Sequence, residues 1–480
     1  MTKSIEYKWL VAIVVTFNSF MFYMDATIVN VALPTIGSVF RASTTTTGWA
    51  VTGYLLSLAM VIPVSGWLGD RYGTKRIFIL GLALFTSGSL LCALSSSIEA
   101  LILFRIVQGV GAGILSPVGS AMLYRAFPPE ERARVAAFVV VPTVIAPTLG
   151  PVVGGFLVQY AGWSWIFLLN LPFGVAGIVM AVAILREQKQ RSSGPFDVRG
   201  FVAGMIAVGA LVYALQEVGQ RGLRDPSVEV AIGVGAVALL LFITLELRSV
   251  HPMLNVRLFA DRLLAGGTAT SFFVQMLFVG SIFLLPFLLQ SEKGLSPFGS
   301  GLVTFPIAVG VGMAAPLASR WYRIVGPRRL LLAAMLMSIV SSAGFIFVTE
   351  ATSDWIIRLM LLPRGWSFGF ALVTLAAATY ARIKPEQMGS ATSLYTVSSQ
   401  MGASAGVALL ATILAARMAA HHARPGNPTT AVGAWAAFHE TFAVTVLIAV
   451  AGMGVALLVS DRLAEASMRR NEGRAVSETA

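Results

Sequence analysis

Thiol chemistry is almost missing from this chain: Cys92 is its single cysteine, and it lies inside an apolar run. One copy therefore builds neither a disulfide nor a cysteine-ligated metal cluster. Histidine is nearly as scarce, with only His251, His421, His422 and His439. A multi-pass enzyme acting on a lipid-linked substrate would need clustered loop acids or a His-rich metal set. Neither is present, so no metal and no enzymatic activity are expected. Charge is thin too: 12% of the 480 residues are Asp, Glu, Lys or Arg, against about 25% in soluble domains. Long polar blocks are absent. The longest are the tail after Asp461 and two connectors of under about 25 residues, too short for a soluble domain.

What the chain does have is hydrophobic length. Apolar residues make up 56% of it, and the mean hydropathy is +0.80. Windows of about 20 apolar residues mark membrane-spanning helices. They fall near 9–33, 47–68, 77–96, 100–123, 135–158, 164–185, 200–217, 228–247, 265–289, 298–319, 329–349, 355–381, 391–417 and 440–460. The fold expected is all-α and integral to the membrane, with fourteen spans. An even number puts both termini on one side. Loops on the N-terminal side hold 25 Lys and Arg, and opposite loops hold six: Arg41, Arg221, Arg224, Lys293, Arg417 and Arg424. Positive charge stays in the cytoplasm, so both termini are expected there. Such scattered basic residues also account for the net charge of +12 without a nucleic-acid partner, which would need one continuous stripe. Lys3 and Lys8 precede an apolar run that lacks a small-residue cleavage site, so the first span reads as retained.

The chain also repeats itself. Pro63, Gly73 and Arg76 recur 253 residues later as Pro316, Gly326 and Arg329; Gln108-Gly109, Gly113, Tyr124, Pro129-Glu130 and Gly150 recur 256 later as Arg364-Gly365, Gly369, Tyr380, Pro385-Glu386 and Gly406. Spans 1–6 thus match spans 9–14. The organisation expected is a six-helix half over 1–190, two inserted helices over 191–250, and a second six-helix half with a cytoplasmic tail over 251–480. Two parallel halves about an axis along the membrane normal form a rocking-transporter plan.

Span 1 places Asp25 between apolar neighbours, at a depth where an ionised carboxylate costs several kcal/mol unless it faces water or a partner. Every other acid sits in a loop, a tail or a span end. By helical periodicity Asn18, Phe22, Asp25 and Val29 share one face, which suits a cavity wall, and Thr27 and Asn30 lie roughly opposite, toward neighbouring helices. Desolvation favours the neutral acid and brings Asp25 within reach of a proton gradient. Arg105 in span 4 is the candidate cation that would oppose this, and it serves either as a structural tether to backbone carbonyls or in proton transfer near Asp25. Further along the same span come Gln108, a candidate to line the cavity, and Gly109-Val110-Gly111-Ala112-Gly113, whose small residues let helices approach closely.

Between spans 2 and 3 runs Gly66-Trp67-Leu68-Gly69-Asp70-Arg71-Tyr72-Gly73-Thr74-Lys75-Arg76, a tight connector with charges able to latch onto a helix end. Span 5 carries Pro142 and then Ala146-Pro147-Thr148-Leu149-Gly150-Pro151-Val152-Val153-Gly154-Gly155, a bending, small-residue helix. The connector resembles the signature loop of the major facilitator superfamily. Residues 25–34, the stretch from Ala146 to Gly155, with Ala146 in place of a usual glycine, and the run from Trp163 through Asn170 and Pro172 to Gly174 together resemble its fourteen-span drug:proton antiporter family.

That resemblance implies the major facilitator fold and proton-coupled export of hydrophobic, often cationic compounds across the bacterial cell membrane. It also implies a latch between the two halves at Asp70; the repeat position is Arg323, so the latch is one-sided. The energy source implied is a proton gradient, with no cofactor, and the partners are the lipid bilayer, small hydrophobic substrates and protons. In the second half Gln275, Gln290, Tyr395 and Gln400 are candidates to line the cavity. No acid is buried in the late spans, since Glu350, Asp354 and Glu440 sit at outer ends, which argues against dicationic substrates. Two other readings stay open: an exporter of one endogenous metabolite or antibiotic, and a membrane subunit feeding a periplasmic adaptor.

Overall fold

The computed structural model describes residues 6–127, 146, 149–189, 196–249, 252–384, 387–423 and 428–464. Among the described residues it is all helix. Thirteen helices are long and apolar enough to cross a membrane, and a shorter apolar helix spans Leu149–Tyr160. The rest of the expected fifth span, from 135 to 145 and 147–148, lies outside the described residues, and Pro142 and Pro147 with it.

In chain order the helices are α1 (Tyr7–Val39), α2 (Thr44–Tyr72), α3 (Thr74–Ala93) and α4 (Ile98–Ala126), α5 (Leu149–Tyr160), then α6 (Asn170–Ile184), α7 (Val198–Arg221), α8 (Pro226–Arg248) and α9 (Arg262–Pro286). There follow α10, in two pieces (Pro297–Thr304 and Pro306–Val325), α11 (Pro327–Phe345), α12 (Asp354–Ala378), α13 (Met388–Ala420) and α14 (Ala431–Ala456). Their starts follow from the sequence. Ser43, Ser97, Asp225, Asp261, Ser296 and Ser353 each accept a backbone N–H of the first turn, as N-caps do. The expected single span at 298–319 is interrupted where Pro306, which lacks an N–H, begins a new piece. At the end of α9 a wider π-turn covers Phe287–Glu292.

Packing divides the helices into two groups with a seam between them. α4 lies between α2 and α3, and α6 covers α1 and α3; α9 packs on α13, α10 on α12, and α11 on α12 and α14. Glycines set these distances. A Cβ at Gly113 would meet the Leu58 carbonyl at 2.7 Å, and one at Gly369 would meet the Val311 carbonyl at 2.9 Å; Gly109 against Tyr54 and Gly365 against Ile307 are tighter still. These contacts recur at the offsets found in the sequence. So does a terminal cap: Glu187 accepts from the Lys75 and Arg76 N–H groups at the start of α3 (3.0 and 3.3 Å), and Asp461 accepts from Arg328 N–H at the start of α11 (2.8 Å). Gly73 and Gly326, at φ of 106° and 87°, make the two turns that allow this.

Across the seam, the described contacts gather at the distal end, the end away from the N-terminus. There the Gln290 amide donates to the Val31 carbonyl of α1 at 2.8 Å, and Phe298 N–H donates to Gln159 at 3.3 Å. A Cβ at Gly155 would strike Pro297, and one at Gly301 would strike Pro151. The α5 glycines thus let α5 and α10 close on each other. α2 and α13 meet along the seam, and α7, with α8 behind it, lies over their junction. Gln216 of α7 donates to the Thr45 carbonyl of α2 at 2.9 Å and receives Thr412 of α13 on its own carbonyl at 2.9 Å. α7 is therefore bonded to both helix groups.

Candidate functional site

Asp25 is fully buried midway along α1, at 0% exposure. Its face of α1 is turned into the first helix group, and α4 and α6 supply the donors. Arg105 Nη1 reaches one carboxylate oxygen at 2.8 Å; Gln108 Nε2 and Asn170 Nδ2 reach the other at 3.0 and 2.7 Å. Charge-assisted bonds of this kind are roughly twice as strong as neutral ones. Arg105 is held further: Nε donates to the Ala50 carbonyl at 3.1 Å and Nη1 to Gln108 Oε1 at 2.6 Å. The guanidinium also lies 4.1 Å from the Tyr54 ring centroid. Asn170 donates in addition to Ser89 at 3.0 Å, and Ser89 donates to the Phe167 carbonyl at 2.9 Å. One acid thereby fastens α1, α2, α3, α4 and the start of α6.

The sequence names Asp25, Arg105 and Gln108, and the structure brings these three together. The Arg105 side chain both tethers a backbone carbonyl and pairs with the acid. Asp25 does not stand on a cavity wall as its stripe had suggested. Asn18 and Phe22, expected to line that cavity, are buried at 2% and 8% exposure, and Asn18 donates to the Val14 carbonyl and abuts Gly177 of α6. Gln108 is likewise a cluster member and not a cavity residue. The reason is tertiary: the apolar stripe meets another helix instead of open space. Thr27 and Asn30 bond back to the Met24 and Ala26 carbonyls of their own helix, and among the described residues neither reaches a neighbouring helix by hydrogen bond.

Asn170, Ser89 and Tyr54 were not assigned by sequence reasoning. Asn170 belonged to a quoted motif, but only the fold shows that it turns toward Asp25. Gln275 and Gln400 are half-buried, and Tyr395 packs on Tyr380 with ring centroids 5.7 Å apart, close to the Ser271–Ser399 hydroxyl pair. Gln290 reaches α1 and serves the distal closure.

The motif residues occupy distinct places. Asp70 pairs with Arg125 of α4 at 2.7 Å, inside its own helix group and not across the seam. Arg76 lies 3.6 Å from Glu187, Arg71 is exposed, and Gly66 has open space around it. Gly150 and Gly154 press on Thr27 and Ile28 of α1, while Pro151 and Gly155 face α10. Glu246, at the end of α8, is fully buried despite its terminal position and accepts the Leu254 N–H at 3.1 Å.

A cavity of about 240 Å³ opens where α2, α7, α8 and α13 meet the chain around 253–259; Met60, Met205, Met253, Met401, Phe201 and Phe242 contribute to its apolar wall. Thioether and aromatic linings of this sort adapt to varied apolar shapes.

Comparison with known proteins gives a consistent picture. The family model described as Major Facilitator Superfamily matches residues 15–407. A protein named multidrug resistance protein B homolog, from Mycobacterium tuberculosis strain H37Rv, is 33% identical over 400 residues, covering 82% of this chain and 74% of its own length. The putative multidrug resistance protein MdtD of Pectobacterium atrosepticum is 31% identical over 476 residues, covering 98% of this chain and 99% of its own. Among solved structures, a bacterial homolog of the human lysosomal transporter Spinster, in an inward-facing and unoccupied conformation, superposes with a TM-score of 0.69 at 16% identity, covering 98% of this chain and 100% of that one.

Proposed function

The chain belongs to the Major Facilitator Superfamily, a group of membrane transporters and not enzymes, and from that premise we propose that it is a proton-driven exporter of hydrophobic, cationic drug-like compounds. Residues 1–190 and 251–480 act as two six-helix halves of a fourteen-span bundle that rock about the seam, with 191–250 as the inserted pair. The protein sits in the bacterial cell membrane with both termini in the cytoplasm, which makes the distal end the outer one. The names of its relatives, read as multidrug resistance proteins, support the substrate class, and the Met-rich cavity at the seam suits such compounds.

The Asp25 cluster carries the proton side of this reading. A proton arriving on Asp25 cancels the charge that Arg105, Gln108 and Asn170 all address. Arg105 keeps the Ala50 carbonyl, the Gln108 oxygen and the Tyr54 ring, so the cation has places to remain while α1 is released. α1 is also the helix that Gln290 grips at Val31 and that Gly150 and Gly154 of α5 press upon. Loosening α1 therefore reaches the distal closure through two direct contacts. The proton is taken up from outside while the distal end is open and leaves to the cytoplasm once that end has closed, when the Asp25–Arg105 pair re-forms. No cofactor enters the cycle; the gradient supplies the energy.

The test is reconstitution into proteoliposomes with an imposed pH gradient and a panel of cationic dyes, neutral antibiotics and anionic metabolites. Hydrophobic cations are expected to collapse the gradient, and Asp25→Asn to abolish that response. An Asp25→Asn protein that still moves substrate against a gradient would sink the assignment. A response confined to a single metabolite would replace broad efflux by dedicated export.

A further inference from the structure

The second helix group contains a buried cation with no acid. Arg364, in the middle of α12, is 3% exposed. Its Nε donates to Ser341 Oγ at 3.2 Å and its Nη2 to Ser342 Oγ at 2.7 Å, and the guanidinium lies 5.9 Å from the Phe345 ring centroid. Among the described residues no carboxylate pairs with it. The contrast is Arg105 at 1% exposure, which has Asp25 at 2.8 Å. Taking an ion out of water costs several kcal/mol, and only an opposite charge in good geometry returns it. Two neutral hydroxyls leave the positive charge uncompensated.

Beside the guanidinium is a cavity of about 10 Å³ bordered by Arg364, Ser338, Ser367, Val274, Leu277 and Phe278. That volume is about one water's, so any larger occupant, a halide included, requires a small outward shift of the surrounding side chains. Ser338 and Ser367 share a hydrogen bond at 2.8 Å, so one hydroxyl hydrogen of the pair is left to point elsewhere. The site therefore offers guanidinium N–H and hydroxyl O–H groups against apolar walls, and no negatively charged group.

We propose that Arg364, Ser338 and Ser367 form a binding site for a monovalent, halide-sized anion between α9, α11 and α12, which supplies the charge that the protein withholds. Donors on one side and hydrocarbon on the other match a weakly hydrated spherical anion. The cavity is too small for sulfate and offers nothing to a cation.

The experiment compares the purified full-length protein in chloride, bromide, sulfate and gluconate at constant ionic strength, by thermal unfolding and by ³⁵Cl NMR line broadening. Chloride and bromide are expected to raise the melting temperature saturably, by about 2–4 °C, and chloride to show protein-dependent broadening that bromide displaces. Sulfate and gluconate should do neither. Arg364→Gln should melt alike in all four salts. Ser367→Val fills the cavity while keeping the cation, and should also lose the chloride response; together with the wild-type linewidth it decides the matter if Arg364→Gln does not fold. A wild-type protein indifferent to the anion in both measurements would mean that only water occupies the site, and a response unchanged in Ser367→Val would place the anion elsewhere. Either result overturns the proposal.

Discussion

At the scale of single residues, the protein's economy turns on how two deep arginines are neutralised. Arg105 has Asp25, and removing one member of such a pair leaves the other charged in a low-dielectric interior. Asp25→Ala is expected to cost about 3–5 kcal/mol of stability, visible as an early thermal transition in detergent. Replacing both members, as in Asp25→Leu with Arg105→Met, should recover much of that stability, because apolar substitutes of similar volume avoid the desolvation penalty. Proton-driven transport should not recover with it. That separation would show that the pair is kept for function; recovery of both would make it a structural tether only. Asn170→Ala removes one donor to the carboxylate and one to Ser89. It should destabilise by about 1–3 kcal/mol, visible as an earlier thermal transition in detergent.

At the scale of helices, the decisive feature is where glycine allows backbones to touch. α5 approaches α1 through Gly150 and Gly154 and approaches α10 through Gly155. A larger side chain at Gly155 has no room against Pro297, so Gly155→Val should hold the distal end apart. The chain's single thiol, Cys92, is buried, which makes cysteine reporters easy to read. A Gln159→Cys, Phe298→Cys pair in a Cys92→Ser background should be joined readily by a short bifunctional thiol reagent, because Phe298 N–H lies 3.3 Å from the end of the Gln159 side chain. Adding Gly155→Val should slow that cross-link several-fold. An unchanged rate would show that α5 does not govern the closure. The same reasoning applies to α7: Gln216→Ala removes one of the bonds that hold α7 on the α2–α13 junction.

At the scale of the whole molecule, the question is orientation. The proposal places both termini in the cytoplasm on the charge bias of the loops, and labelling checks it. Single cysteines at Arg41 and Glu350, in the Cys92→Ser background, should react with an impermeant maleimide in intact cells. Cysteines at Arg71 and Glu187 should react only after permeabilisation. The reverse pattern would invert the proposed direction of export along with the topology.

Much of this architecture was legible in the order of residues. A bilayer demands about 20 apolar residues per span, so hydropathy alone located the thirteen long apolar helices among the described residues, and the repeated Gly109, Gly113, Gly365 and Gly369 announced close contacts that the structure shows at matching offsets. Asp25 and Arg105 stood out because a charge at membrane depth is expensive wherever it points. What sequence could not supply was direction around each helix axis. A stripe of four positions is the same whether it lines a cavity or packs on a neighbour, and here α4 and α6 cover the stripe of Asn18, Phe22 and Asp25. Only the tertiary structure joined Asn170 and Ser89 to the acid across 145 and 64 positions of chain, turned Asp70 toward Arg125, and left Arg364 without a carboxylate. Periodicity fixes which residues share a face; the packing of other helices decides what that face meets.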